Sequence, residues 1–383
     1  MRPKGDGLSP RLGPIEARRE THTTVCCAHP YIGFVSTPNA TIDFSDRVPP
    51  EFEHGAVATI DGQGFRNSGV PAQKPADEFW IGLFGGSVAF GVPASSNDAT
   101  IAGCLERCLR RLRQDGRRVR VINFAIPGGQ QPQQLIVLLL NRHRLDAAIT
   151  FDGVNEVVVP SCYNRGHVPP YFPYRPYYEL LFGRAISDEQ VCEAVLVERK
   201  TEELERRPTW QRWLVRARYA RDIARHRERL NALNAMAGTT VDFQSFFNEG
   251  GDEQADALAL RGAKSWAEHT ELMYSLCRAA GIDALFVVQP IPDRGKTLTD
   301  SERAHLRVYP EIVAARAAGY ERLLAHADEL RGRGCPVVSF EQVFSERQES
   351  VYTDLIHFED RGSRIVAERL VQDVVARWPE FTR

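Results

Sequence analysis

The chain has 383 residues, 43% apolar and 26% charged, which is the balance of an ordinary globular protein and more length than one small domain needs. A formal net charge of -2 excludes a global pull toward nucleic acid or an anionic membrane. The most apolar run, Leu135–Leu140, falls far short of the ~20 residues that span a bilayer, and Met1–Glu20 lacks the apolar stretch of a secretory signal.

A cytoplasmic location is therefore expected. The eight cysteines (Cys26, Cys27, Cys104, Cys108, Cys162, Cys192, Cys277 and Cys335) are scattered and read as reduced thiols. Cys104 and Cys108 share a helix face, but no second Cys or His pair stands nearby in sequence to complete a zinc site, so no metal is expected.

Residues 1–28 show no periodicity and read as a loose arm. Residues 29–77 form an extension of short extended segments, HPYIGFVSTPNATIDFSD and TIDGQGFRN, broken by Pro, Gly and Asn. From Glu78 the pattern strengthens: FWIGLF is a buried-strand run, GGS a turn, and NDATIAGCLERCLRRLR a helix with Asn97 or Asp98 as its expected N-cap. Val119–Ile126 is a second strand ending in Pro127-Gly128-Gly129. A helix over Pro132–Arg142 and a third strand, Ala147–Phe151, follow.

Over 159–260 this rhythm is lost, and the segment reads as an insertion. It holds a Pro/Tyr-rich loop (160–178), a basic helix near 209–234 and the acidic stretch NEGGDEQADA. Over 261–383 the rhythm returns, with helices at Ala263–Ala280, Ala314–Arg333 and Asp360–Arg377 and strands at Ala284–Gln289 and Pro336–Phe340. Strand, turn and helix in alternation imply a parallel sheet with crossover helices: about five strands in an α/β/α arrangement, in two parts (78–158 and 261–383) around the insertion.

Ligands in open α/β sheets bind beyond the carboxyl ends of the strands. What stands there in this chain is Ser87 after the first strand, Gly128 after the second, Asn155 after the third, and Asp354 and His357 just before the last helix. This set suits acyl transfer. A serine hydroxyl is a poor nucleophile until an imidazole takes its proton, and the imidazole needs a carboxylate to fix its tautomer. A tetrahedral oxyanion needs preorganised donors, which the Ser87 and Gly128 amides and the Asn155 side chain could supply.

FGGSVAFG, NFAIPGG, GVNE and DLIH, in this order, resemble the signature blocks of SGNH/GDSL hydrolases, over roughly 78–157 and 282–378. The resemblance implies a flavodoxin-like three-layer fold, Ser87 as nucleophile, Gly128 and Asn155 in the oxyanion hole, and Asp354 and His357 completing the triad, with no cofactor. The first block is GGS rather than GDS, Ala125 stands where the second block often has Gly, and Glu156 stands where the third usually has Asp. HPYIGF followed by DGQGFRN is similar to the lead-in of larger bacterial members.

Each residue also has a plainer reading: Ser87 or Gly128 as turn residues, Asn155 as a turn cap, Asp354 as a helix cap with a surface His357. Their joint order favours the site. His167, His226, His269 and His305 are read as structural or exposed. The Pro/Tyr loop could bind through its aromatic rings or simply cover the core. The basic helix places Trp210, Trp213, Leu214 and Ala217 on one face; it could meet a membrane surface or an acidic carrier, but packing on the core by that stripe is preferred.

The expected activity is ester hydrolysis through an acyl-enzyme on a small-molecule, glycan or lipid ester. Acyl transfer to an alcohol, amine or carrier-bound acceptor, with an acyl carrier protein or a CoA thioester as partner, is the alternative, and a non-catalytic scaffold is the third. An α/β-hydrolase elbow, G-x-S-x-G, is disfavoured because Ala89 holds its last position. No phosphate-cradling or dinucleotide motif occurs.

Overall fold

The computed structural model describes residues 26–112, 117–163, 172–174, 188–206, 208–236, 252–307 and 310–381. The expectation for 1–25, most of the Pro/Tyr loop, His167 and the first residues of NEGGDEQADA lie outside them. Extended structure begins at Cys26, inside the segment expected to be a loose arm: β1 (Cys26–His29) pairs antiparallel with β2 (Gly33–Ser36), and β3 (Thr41–Asp43) with β4 (Val57–Thr59).

The central sheet starts with β5 (Glu78–Gly85), buried along its whole length, which leads into the single turn α1 (Ser87–Phe90). Next come α2 (Ile101–Arg110), β6 (Arg118–Asn123), α3 (Gln131–Asn141), β7 (Ala147–Asp152) and α4 (Val154–Val158), whose last turn widens into a π-helical turn at Val159–Tyr163. The N-cap of α2 is Thr100, not Asn97 or Asp98. The Thr100 hydroxyl accepts from Gly103 N, while Asn97 and Asp98 fall in a separate 3-10 turn. The second strand ends at Asn123, three residues earlier than expected; the Asn123 side chain accepts from Ala125 N, and the amides of Phe124 and Ile126 still donate to the Leu83 and Gly85 carbonyls of β5.

Helices α5 (Asp188–Arg206) and α6 (Thr209–Met236) make a compact unit of their own. The sequence pattern does not predict the first. Lys200 pairs with Asp222, and Glu193 with His226 and Arg229, so opposite charges on the two helices face one another. The Trp210, Trp213 and Leu214 side chains lie outside the described set, and Ala217 is exposed.

The remaining elements belong with the sheet. They are α7 (Asp252–Ala280), β8 (Asp283–Val288), α8 (Asp300–Leu306), α9 (Pro310–Gly332), β9 (Val337–Ser339) and α10 (Asp360–Arg377). Helix α7 starts eleven residues before the apolar pattern suggests, because its first turn is acidic (Asp252, Glu253) and acidic residues there favour the positive end of a helix. Among the described residues no helix is long and apolar enough to cross a membrane.

The sheet order is β6-β5-β7-β8-β9, every pair parallel. Side chains alternate across it. Phe79, Ile81 and Leu83 pack with α2 and α10, while Trp80 and Phe84 pack with α3, α7 and α9. This is a three-layer α/β/α sandwich in the doubly wound, flavodoxin-like order. Its switch point lies between β5 and β7, so chemistry is favoured at the carboxyl ends of those two strands.

Two features shape that edge. Gly85 closes β5 at a φ of +155°, where an added Cβ would stand 2.3 Å from the Phe151 carbonyl oxygen of the neighbouring strand. Beneath the edge lies a buried polar layer. Asp152 accepts from Trp266 Nε1 at 2.8 Å and from Gln131 Nε2 at 3.3 Å, and Glu156 accepts from the amides of Gly153 and Gln131. Burial pushes Asp152 up to about 7; burial and then the Asp152 charge push Glu156 up to about 8.

Gly85→Ala is expected to cost about 3 kcal/mol, from backbone strain and displacement of the adjoining strand, in urea unfolding; a loss under about 0.5 kcal/mol would contradict this packing. The folded carboxyl pair holds protons that the unfolded chain releases near pH ~4. It therefore favours folding at low pH, and that contribution declines as pH rises toward about 7 to 8. Asp152→Asn should flatten the decline between pH ~5 and ~8 relative to the parent; parallel curves would refute the raised carboxyl pKa values.

Candidate active site

Ser87 opens α1 at the end of β5, where the backbone turns too sharply to carry side chains on both preceding residues. An added Cβ at Gly86 would lie 2.2 Å from Asn155 Nδ2, so the second glycine of GGS leaves the space that the Asn155 amide occupies. The carbonyls of Gly86 and Ser87 accept from Phe90 N and Gly91 N, which fixes the turn and leaves the Ser87 hydroxyl facing out.

Asp354 and His357 arrive from the far end of the chain on a tight turn closed by the Tyr352–Phe358 bridge and by Thr353 N donating to the His357 carbonyl at 2.9 Å. The three side chains meet. Nδ1 of His357 lies 2.7 Å from Asp354 Oδ2, and Nε2 of His357 lies 2.7 Å from Ser87 Oγ. An ionised carboxylate only accepts, so Nδ1 carries a proton toward Asp354 and Nε2 is left to accept from the serine hydroxyl.

Asp354 also accepts through Oδ1 from the amides of Ile356 (2.8 Å) and His357 (2.7 Å). Close packing around the carboxyl would raise its pKa, although 41% of the side-chain surface stays open. The His357 charge, the hydrogen bond from its ring and the two amides outweigh that and hold Asp354 well below the usual carboxylate range. The carboxylate is thus ionised across the working pH range. Asp354 is not the cap of the last helix: Glu359 is, accepting from Arg361 N and Gly362 N.

Gly128 and Asn155 complete the ensemble. Gly128 sits at a φ of +75° in the turn after β6, and Asn155 occupies the first turn of α4 after β7. The Asn155 amide nitrogen donates one proton to the Gly129 carbonyl at 2.8 Å, and among the described residues its second proton has no acceptor. Among the described residues the amides of Ser87 and Gly128 have no acceptor. Ser87, Gly128, Asn155 and Asp354 are each half-buried, with buried residues on either side in the chain.

Part of the supporting structure carries no signal in the sequence. Arg316, fully buried on α9, donates to the Leu355 carbonyl inside the Asp354–His357 turn at 2.5 Å and pairs with Asp293. Glu302 accepts from the amides of Val351 (2.9 Å) and Tyr352 (3.1 Å), with Lys296 as its partner and both side chains fully buried. The spacing Thr299-x-x-Glu302 is a capping box that could have announced α8, though not its second task. No periodicity marks Arg316. Of the Pro/Tyr loop, Phe172–Tyr174 is described: the Phe172 carbonyl accepts from Gln130 Nε2, and Tyr174 packs where a Cβ on Gly128 would stand. His226 is engaged with Glu193 and His269 with Ser265.

The chain matches no protein-family model and none of the curated proteins. Among solved structures it is similar to an acetyl xylan esterase (12% identity, 77% of this chain and 100% of that one, TM-score 0.37). It is also similar to the lipase/acylhydrolase from Enterococcus faecalis (14%, 78% and 96%, 0.33). A third is the carbohydrate acetylesterase Est24 from Sinorhizobium meliloti (10%, 78% and 99%, 0.37).

Proposed function

We propose that this chain is a serine-dependent ester hydrolase that works through an acyl-enzyme on Ser87. The observation that carries the reading is the continuous hydrogen-bonded line from Ser87 Oγ through both His357 nitrogens to Asp354. Structural serines do not need an imidazole so oriented, whereas a nucleophile does.

In this reading Ser87 Oγ attacks the ester carbonyl as His357 Nε2 takes its proton. Asp354 holds the ring in place and stabilises the imidazolium without itself gaining the proton. The negative charge on the former carbonyl oxygen is received by the Ser87 and Gly128 amides and by the second Asn155 N–H. Collapse expels the alcohol, which leaves with the proton from His357. Water then attacks the acyl-enzyme with the same base, releasing the acid and restoring the serine. No step calls for a metal or cofactor.

With p-nitrophenyl acetate as substrate, Ser87→Ala and His357→Ala should each lower kcat by at least about a thousandfold, with the double variant little worse than either. Asp354→Asn should cost less than either. A Ser87→Ala protein retaining more than about a tenth of the activity would exclude the acyl-enzyme.

A further inference from the structure

Asn155 must aim an N–H at a reacting oxygen, yet it stands on α4, a helix of five residues. So short a helix has no stability of its own, and its direction has to be imposed from outside. The residue next to Asn155 is the one best placed to impose it.

Glu156 is 3% exposed, and both of its carboxyl oxygens are engaged. One accepts from Gly153 N at 2.8 Å, at the entrance to α4. The other accepts from Gln131 N at 2.9 Å, at the start of α3. Gln131 stands just beyond Gly128 and Gly129, so a single carboxyl joins the segment that carries Asn155 to the segment that carries Gly128. Asn155 Nδ2 donating to the Gly129 carbonyl closes the circuit from the other side. The Gln131 side chain continues inward to Asp152 and Thr270, which anchors the circuit to β7 and α7.

We propose that Glu156 is a positioning residue for the oxyanion hole, setting the distance and angle between the Asn155 side chain and the Gly128 amide. The proposal rests on the ester-hydrolase reading above. Glu156 itself touches no substrate: it is buried and both oxygens are occupied by backbone. Few side chains other than Glu fit the role. Glutamine offers one accepting oxygen and would turn an N–H toward the second amide. Aspartate is one methylene shorter and cannot reach both amides unless a loop moves.

The test is a double-mutant cycle in the full chain with Asn155→Ala, Glu156→Gln and the combined variant, reading kcat and KM on p-nitrophenyl acetate beside a circular-dichroism melt. A misplacement on the order of 1 Å can cost about a hundredfold in rate. Glu156→Gln is therefore expected to lower kcat by about tenfold to a hundredfold with KM within about threefold, and to lose most of that effect when Asn155 is already alanine. If Glu156→Gln does not fold, Glu156→Asp enters the same cycle with the same expectation. An equal factor in both backgrounds, or an unchanged kcat in a folded variant, overturns the positioning role while Ser87-dependent turnover stands. A parent protein without ester turnover, or an Asn155→Ala variant as fast as the parent, overturns the underlying reading as well.

Discussion

The hydrogen bond between Ser87 and His357 joins residues 270 positions apart, and most of the architecture serves to close it. Ser87 is delivered by β5 at the centre of the sheet. His357 comes on a turn that follows β9 at the sheet's edge and is drawn back over the carboxyl ends. A parallel sheet makes this meeting available because every strand ends on the same side. The reversal of strand order at β5 and β7 favours a crevice there.

Holding the far partner takes buried charge. A buried ion pair returns little net stability, since desolvation offsets its attraction, but it fixes geometry strictly because any other arrangement leaves a charge unpaired. Lys296 with Glu302 has this character, and Arg316, itself fully buried, pairs with Asp293 at the surface; Glu302 and Arg316 each also bind backbone of the segment around Asp354 and His357. The carboxyl pair Asp152–Glu156 is its counterpart on the other side of the crevice. There two acids share one polar layer, and burial raises the pKa of both. The site is thus gripped from both flanks by groups that do no chemistry themselves.

Much of this is legible in the sequence. Strands β5 and β7 are buried along their whole length and read as near-continuous apolar runs, which only a doubly covered sheet accommodates, and Asp360–Arg377 carries its helical pattern from end to end. Ser87, Gly128 and Asn155 follow the first three of the sheet strands, Asp354 and His357 precede the last helix, and all five come to the same edge. What escapes a local reading is what depends on distant partners. The α2 cap is settled by which oxygen reaches Gly103 N, and α4 is too short to leave a period. The insertion hides α5 because its apolar residues, Leu204 apart, stop at Val197 and its second half, ERKTEELER, is mostly charged and pairs with α6. Arg316 and Lys296 look like surface residues in any local window; only the fold buries them. Glu156, in sequence a mere departure from a motif, acquires its role from Gln131, 25 residues away.

The central claim is that Ser87 is a nucleophile rather than a turn residue, and covalent capture addresses it whatever ester the protein cleaves. Treating the protein with a fluorophosphonate and locating the adduct by peptide mass spectrometry should give one phosphonyl group, on Ser87. An unmodified Ser87, or an adduct carried by another residue, would contradict the account.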